Sequence, residues 1–340
     1  MWDTGRYYEK NFCAHPQVIR YGGRKRFCKQ CNSFFRIRPK KRGRKCKRQS
    51  EHLAEKILRV QATLRGTAES NKQGKGLVIG RFHRSILAWK RTHPPAPPFT
   101  ARSGFLIGIF DGVWFRFGKE RYVCLVLLVR PVKSQIARLR GLLLIQGDES
   151  EEHWKRALHT CLTPQELTHI QAIVADGAHG LVSLCKEYGW KYQRCHFHIL
   201  KDLQAISGKR SGPTQKIRKK ALALVREILD TPSEQMIRPL KARLHRLVAR
   251  SDCPKTVRKK VGGFLTHLDK FRTCYQYPAL NLPHTSNTAE CAGRIIRARL
   301  GIMRGLRTLS SLRYWLDIIL RSHPDIRCEK KQFTNQIKRT

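Results

Sequence analysis

Acid is what this sequence holds least of relative to its opposite. Its 340 residues carry 24 Asp and Glu against 69 Lys and Arg, a formal net charge of +45. That exceeds what solubility requires and excludes a chain indifferent to polyanions. Long apolar runs are also missing. The longest, Tyr122 to Val129, has eight residues, where a membrane-spanning helix needs about 20. The N-terminal MWDTGRYYEK has no apolar stretch of the kind a secretory signal carries. A cytoplasmic, nucleoid-associated protein without a membrane partner is the expectation. The sequence is not poor in core-forming residues. Hydrophobic residues make up 41% and aromatics 9%, which excludes a disordered basic tail. Twelve cysteines in such a chain read as metal ligands or reduced thiols, not as a disulfide framework.

The charge is unevenly placed. Residues 1–100 hold 25 basic and 5 acidic side chains, residues 101–200 hold 13 and 9, and residues 201–340 hold 31 and 10. Two strongly basic regions therefore flank a nearly neutral middle. DNA is the expected partner, because each cation that meets a phosphate releases condensed counterions. The densest run, Arg36 to Arg48, has nine basic residues in thirteen. Arg36, Arg38, Lys40, Lys41, Arg42, Arg44 and Lys45 in this run are candidate DNA contacts. Such a run is equally a solvated linker that orders only on binding.

Ahead of that run stand Cys13 and His15, then Cys28 and Cys31 in a Cys-x-x-Cys pair. Two thiolates on a tight turn can converge on one tetrahedral zinc, with the earlier pair completing the shell. Incidental thiols are the alternative. Residues 53–64 then place Leu53, Ile57, Val60 and Leu64 on one helical face, and a second apolar–basic segment ends at Trp89. The pair reads as a helix-turn-helix or as a plain helical hairpin. The four prolines of Arg91 to Gly104 read as a stiff linker.

The neutral middle is strand-like. Phe105 to Phe110 is an apolar run that Asp111 ends. Val113 to Phe117 leads on to a Gly-Lys-Glu turn, and Arg121 to Val129 and Leu142 to Ile145 follow as the second and third strands of a meander. Glu151 to Leu162 reads as a helix. Ile170 to Ala175 is a further strand, ended by Asp176, and Tyr192 to Cys195 another after a second helix. The order β-β-β-α-β-α-β is that of an α/β, RNase H-like mixed sheet flanked by helices. Asp111 and Asp176 each follow an apolar strand and precede Gly. Alone, each is ordinary turn chemistry. Together at one sheet edge, two carboxylates repel unless a divalent cation joins them. Glu290, the only acid between Asp269 and Asp317, falls in the first turn of a basic helix starting near Ser286 or Asn287. A local ion pair with Arg294 is its other candidate role.

These patterns, with Gln-Arg-Cys195-His-Phe-His198 and Thr285-Ser-Asn287-Thr-Ala-Glu290, resemble the DDE-type transposases of prokaryotic insertion sequences, Mutator-like group. The resemblance implies an RNase H-like core in which Asp111, Asp176 and Glu290 hold two Mg²⁺ (or Mn²⁺) ions and cut and join DNA. It implies a structural zinc near the N-terminus, Arg294 and Arg297 on phosphates, and Cys195 and His198 beside the active site. The partners implied are terminal inverted repeats, target DNA and further copies of the chain in synapsis, as a homodimer or higher. A non-catalytic DNA-binding regulator derived from a transposase is the alternative. The organisation so implied is a zinc module and basic arm over 1–49, a helix-turn-helix-like region over 50–92 and a linker over 93–104. The catalytic core begins over 105–207, a helical insertion fills 208–282, the third acid and the end of the core lie in 283–325, and 326–340 is a tail.

Overall fold

The computed structural model describes residues 18–20, 25–30, 32–36, 74–208, 212, 214–302 and 308–327. The chain divides into two compact units, Met1–Trp89 and Lys90–Thr340. In the first, strands β1 (Val18–Arg20), β2 (Lys25–Cys28) and β3 (Ser33–Arg36) form an antiparallel sheet in that order. Helix α1 (Lys75–Thr92) follows, with Phe82, Ile86 and Trp89 buried at helical spacing. The first helix expected over residues 53–64 lies outside the described residues, as do Cys13, His15, Cys31, Arg38, Lys40, Lys41, Arg42, Arg44 and Lys45. Of the expected zinc ligands Cys28 is described, buried at the end of β2. Arg36 closes β3.

The second unit is built on a six-stranded mixed sheet. It consists of β4 (Leu106–Phe117), β5 (Glu120–Pro131), β6 (Ile136–Gln146), β7 (Ile170–Ala175), β8 (Lys191–Arg194) and β9 (Asp325–Arg327), in the order β8-β7-β4-β5-β6-β9. β4, β5 and β6 form the antiparallel meander, while β7 runs parallel to β4 and β8 parallel to β7. Val123 to Val129 of β5 are fully buried, because both faces of this central strand are covered.

Alternation along β4 shows which helices cover which face. Leu106, Phe110 and Trp114 meet α2 (Glu151–Cys161) and α4 (His179–Tyr188) through Trp154, Leu158, Leu181 and Leu184. Ile107, Ile109 and Val113 meet α11 (Asn287–Ile302) and α12 (Leu309–Ser322) through Ala289, Ala292, Ile296 and Leu316. Between α2 and β7 lies a short helix the sequence reading missed, α3 (Pro164–His169). It is set by a Thr163–Glu166 capping box and Pro at its start.

The stretch read as a linker is docked instead. Phe99 is buried in the sheet core, its N–H donates to fully buried Glu166 (3.0 Å), and Arg140 pairs with the same carboxylate at 2.8 Å. A second difference concerns β4. The sequence suggested that Asp111 ends a strand. The strand continues through it to Phe117, because β5 pairs with it along the whole length, Asp111 opposite Val126.

The helices that follow β8 build a separate core. α5 (His196–Ser207) packs with α6 (Gln215–Asp230), α7 (Glu234–Ala249), α8 (Lys255–Thr266) and α9 (Leu268–Phe271), and α10 (Thr273–Gln276) follows. Arg272 is 1% exposed. It donates to the carbonyls of Ile228, Thr231 and Pro232 and pairs with Glu234, which locks the α6–α7 turn. Gln193 of β8 bonds the Phe271 carbonyl and the Cys274 N–H, so the helical region is tied to the sheet before the chain returns.

Candidate metal centre

The parallel register brings the two aspartates together. Ile109 pairs with Val174, and two further steps along each strand reach Asp111 and Asp176. β7 stops at Ala175, so Asp176 leaves the sheet where Asp111 is still held in β4. The turn after β7 is fixed locally. Asp176 Oδ1 accepts from the Ala178 N–H at 3.1 Å, and Gly177 takes φ +116°, a left-handed conformation that side chains resist. The Arg194 side chain fills the space where a Gly177 side chain would stand, and its Nε donates to the Asp176 carbonyl at 3.3 Å.

His198 lies in the first turn of α5, which begins directly after β8. Donor atoms of Asp111, Asp176 and His198 all fall within 4.8 Å of one another. Glu290 sits in the first turn of α11 and reaches this group through His198, its Oε1 lying 3.6 Å from Nε2. The helix can lie this close because Gly293 has no side chain. A Cβ there would come 3.0 Å from Val113 Cγ2 of β4. The alternative pairing of Glu290 with Arg294 is not formed, since Arg294 donates to Cys291 Sγ. Arg294 and Arg297 are exposed on α11.

Cys195 and His198 have separate positions. Cys195 is fully buried, and its Sγ accepts from the N–H and Oγ–H of Ser286, each at 3.2 Å. Its own N–H donates to the carbonyl of Ala175, and the Glu290 N–H donates to the carbonyl of Ser286. Cys195, through its backbone N–H and its Sγ, therefore joins the end of β7, the start of α5 and the start of α11. Burial pushes the Cys195 thiol up, which suits a neutral joint and not a zinc thiolate. His196 faces the other way, its Nε2–H donating to the Phe271 carbonyl at 2.6 Å. Burial lowers it to about 3, so the ring is neutral and its Nε2 is the donor.

Electrostatics mark the centre. Asp111 is 8% exposed and accepts from the Gly112 N–H at 3.0 Å. Burial first, then Asp176, Glu290 and Glu149, push its carboxyl up to about 8. Among the described residues no cationic side chain pairs with it. A buried carboxyl surrounded by other acids, with an imidazole in reach, fits a divalent cation well. Carboxylate oxygens suit Mg²⁺ or Mn²⁺, and Mn²⁺ takes the imidazole more readily.

The sequence reasoning missed Glu149. It lies two residues before α2 and is half-buried. Burial and Asp176 raise its carboxyl, partly opposed by the indole N–H groups of Trp114 and Trp154. No protein-family model matches the chain, and no curated protein matches it. Among the described residues no helix is long and apolar enough to cross a membrane.

Proposed function

We propose that the chain is a DDE-type transposase of a prokaryotic insertion sequence, Mutator-like, with an RNase H-like core. The observation that carries this reading is the convergence of three acids from distant segments. Asp111 of β4 and Asp176 after β7 share one cluster with His198, and Glu290 of α11 joins through that histidine. Asp111 and Asp176, with Glu290, would hold Mg²⁺ or Mn²⁺. Bound there, such ions activate water or a 3′-OH for in-line attack and stabilise the leaving oxygen. His198 orients Glu290 toward the aspartates. The Cys195–Ser286 joint keeps α5 and α11 in register, and Gly293 sets the approach of α11 to β4.

The reaction assigned is hydrolysis of a phosphodiester at the element end, followed by attack of the freed 3′-OH on target DNA. Arg294 and Arg297 are exposed on the same helix as Glu290 and would meet phosphates beside the acids. Residues 1–92 would recognise the ends, with zinc on Cys13, His15, Cys28 and Cys31. Two or more copies would assemble the synapse.

The test is cleavage of duplex DNA carrying the ends that flank the gene. The full chain should cut it in Mg²⁺ and not in EDTA. Asp111→Asn, Asp176→Asn and Glu290→Gln should each bind that DNA and leave it intact. End binding without cutting by the wild type would instead favour the non-catalytic regulator.

A further inference from the structure

One face of α5 leads away from the metal centre. His198 is followed at helical spacing by Lys201, Asp202 and Ala205, all three exposed. Asp202, four residues on, stands about 6 Å along the helix axis from His198. Its carboxylate pairs with Lys260 of α8. The exposed face of α5 is therefore continuous with that of α8.

Helix α8 carries Lys255, Arg258, Lys259 and Lys260 and no acid. Val257, Val261 and Phe264 turn toward the helical core. Arg258 has a structural task, donating to the carbonyls of Val248 and Arg250. Lys255 and Lys259 have none. Both are exposed, and among the described residues neither pairs with an acid. Lys201 on α5 meets no acid either, its Nζ lying 5.5 Å from the centre of the Phe197 ring. Beyond Lys259 the outer face of α8 is bare. Gly262 and Gly263 are helical and neither takes a positive φ, so no turn asks for glycine. A side chain built on either would meet nothing within 4 Å, so no packing contact asks for it. A helix interior disfavours glycine. What the pair provides is helix backbone that another chain can approach closely.

We propose that these faces of α5 and α8 form a track for the backbone of the DNA held at the metal centre. Lys201, Lys255 and Lys259 meet its phosphates, and the DNA passes closest to the helix at Gly262 and Gly263. The inference rests on the reading of the metal centre as a site that acts on DNA, and it extends that site onto the helices between β8 and α11. Charge selects the occupant, since the unpaired side chains on the track are all cationic. None of the exposed large apolar side chains lies on α5 or α8, so the face lacks the apolar centre that a protein partner would bury.

The test is the salt dependence of binding by the full chain to duplex DNA carrying the element ends. Lys201→Gln, Lys255→Gln and Lys259→Gln together should lower the slope of log affinity against log salt by about 3, at ~0.9 per phosphate contact. Arg238→Gln, Arg243→Gln and Arg246→Gln together remove the same charge from the exposed face of α7 and should leave the slope unchanged. Gly263→Leu alters no charge and favours the helix. It should melt no lower than the wild type and yet raise the Kd several-fold at the same slope. An unchanged slope in the lysine variant overturns the proposal, as does an equal fall in the α7 variant. So does Gly263→Leu binding as tightly as the wild type or melting below it. A lysine variant that changes the sedimentation of the DNA-free chain and not its DNA binding would make the face a contact between copies, and overturns the proposal too. If the lysine variant loses slope and no DNA is ever cut, the track stands and the transposase assignment fails. If the wild type cuts the ends and the lysine variant keeps its slope, the reverse holds.

Discussion

Replacing Asp111 with Asn should stabilise the metal-free protein. The native carboxyl titrates at about 8, raised from its ordinary 3.8, and the unfolded chain restores the ordinary value. Below pH 3.8 both states are protonated and folding carries no penalty from this group. Between 3.8 and about 8 the unfolded chain gives up the proton and the native state keeps it. Stability then falls by about 1.4 kcal/mol for each pH unit. At pH 7 the accumulated penalty is about 4 kcal/mol, and above about pH 8 it levels off. Asn does not titrate, but burying its amide costs ~1–3 kcal/mol, leaving a net gain of about 2 kcal/mol at pH 7. Urea unfolding in EDTA, followed by tryptophan fluorescence, gives the numbers. From pH 5 to pH 7 the wild type should lose about 3 kcal/mol that Asp111→Asn retains. Saturating Mg²⁺ should then narrow the gap, since it stabilises the ionised carboxylate of the wild type alone. Equal pH slopes in the two proteins, or a variant less stable than the wild type in EDTA, would refute the reasoning.

Three further outcomes are expected. Glu166→Ala strands the buried Arg140 and frees Phe99, so urea denaturation should show a loss of about 3–5 kcal/mol; a loss no larger than at exposed Glu152 would contradict it. Cys195→Ala removes the acceptor of two Ser286 donors. It should cost ~1–3 kcal/mol and leave the zinc bound per chain, measured by atomic emission, at the wild-type value; a drop in zinc would make Cys195 a ligand. Arg294→Ala with Arg297→Ala should reduce the slope of log affinity against log salt by about 2, at ~0.9 per phosphate contact. An unchanged slope in a filter-binding titration would remove those arginines from the DNA interface.

Strand β7 and the start of α11 were legible in the sequence because their signals are local. Ile170 to Ala175 is an unbroken apolar run closed by Asp-Gly, and Ser286-Asn287 opens a helix. The continuation of β4 was not, since Asp111-Gly112 has the composition of a turn. What holds those residues in a strand is pairing with β5, which the local sequence does not display. Glu149 was hidden for a different reason. It stands in Asp148-Glu149-Ser150-Glu151-Glu152, where any acid resembles ordinary helix-start chemistry. Its distinguishing mark is a missing side chain at Gly112, far off in the chain, whose place the Glu149 carboxylate fills. The Cys195 and His198 pair was visible as a motif, but its split into a buried joint and a cluster member comes from the fold alone.

The Asp176→Cys variant tests the central claim most directly. If Asp176 holds the catalytic cation, a thiolate in its place should reject Mg²⁺ and accept the softer Mn²⁺. DNA cleavage at the element ends should then vanish in Mg²⁺ and return in Mn²⁺, with DNA binding unchanged throughout. Full cleavage by Asp176→Cys in Mg²⁺ would contradict the account.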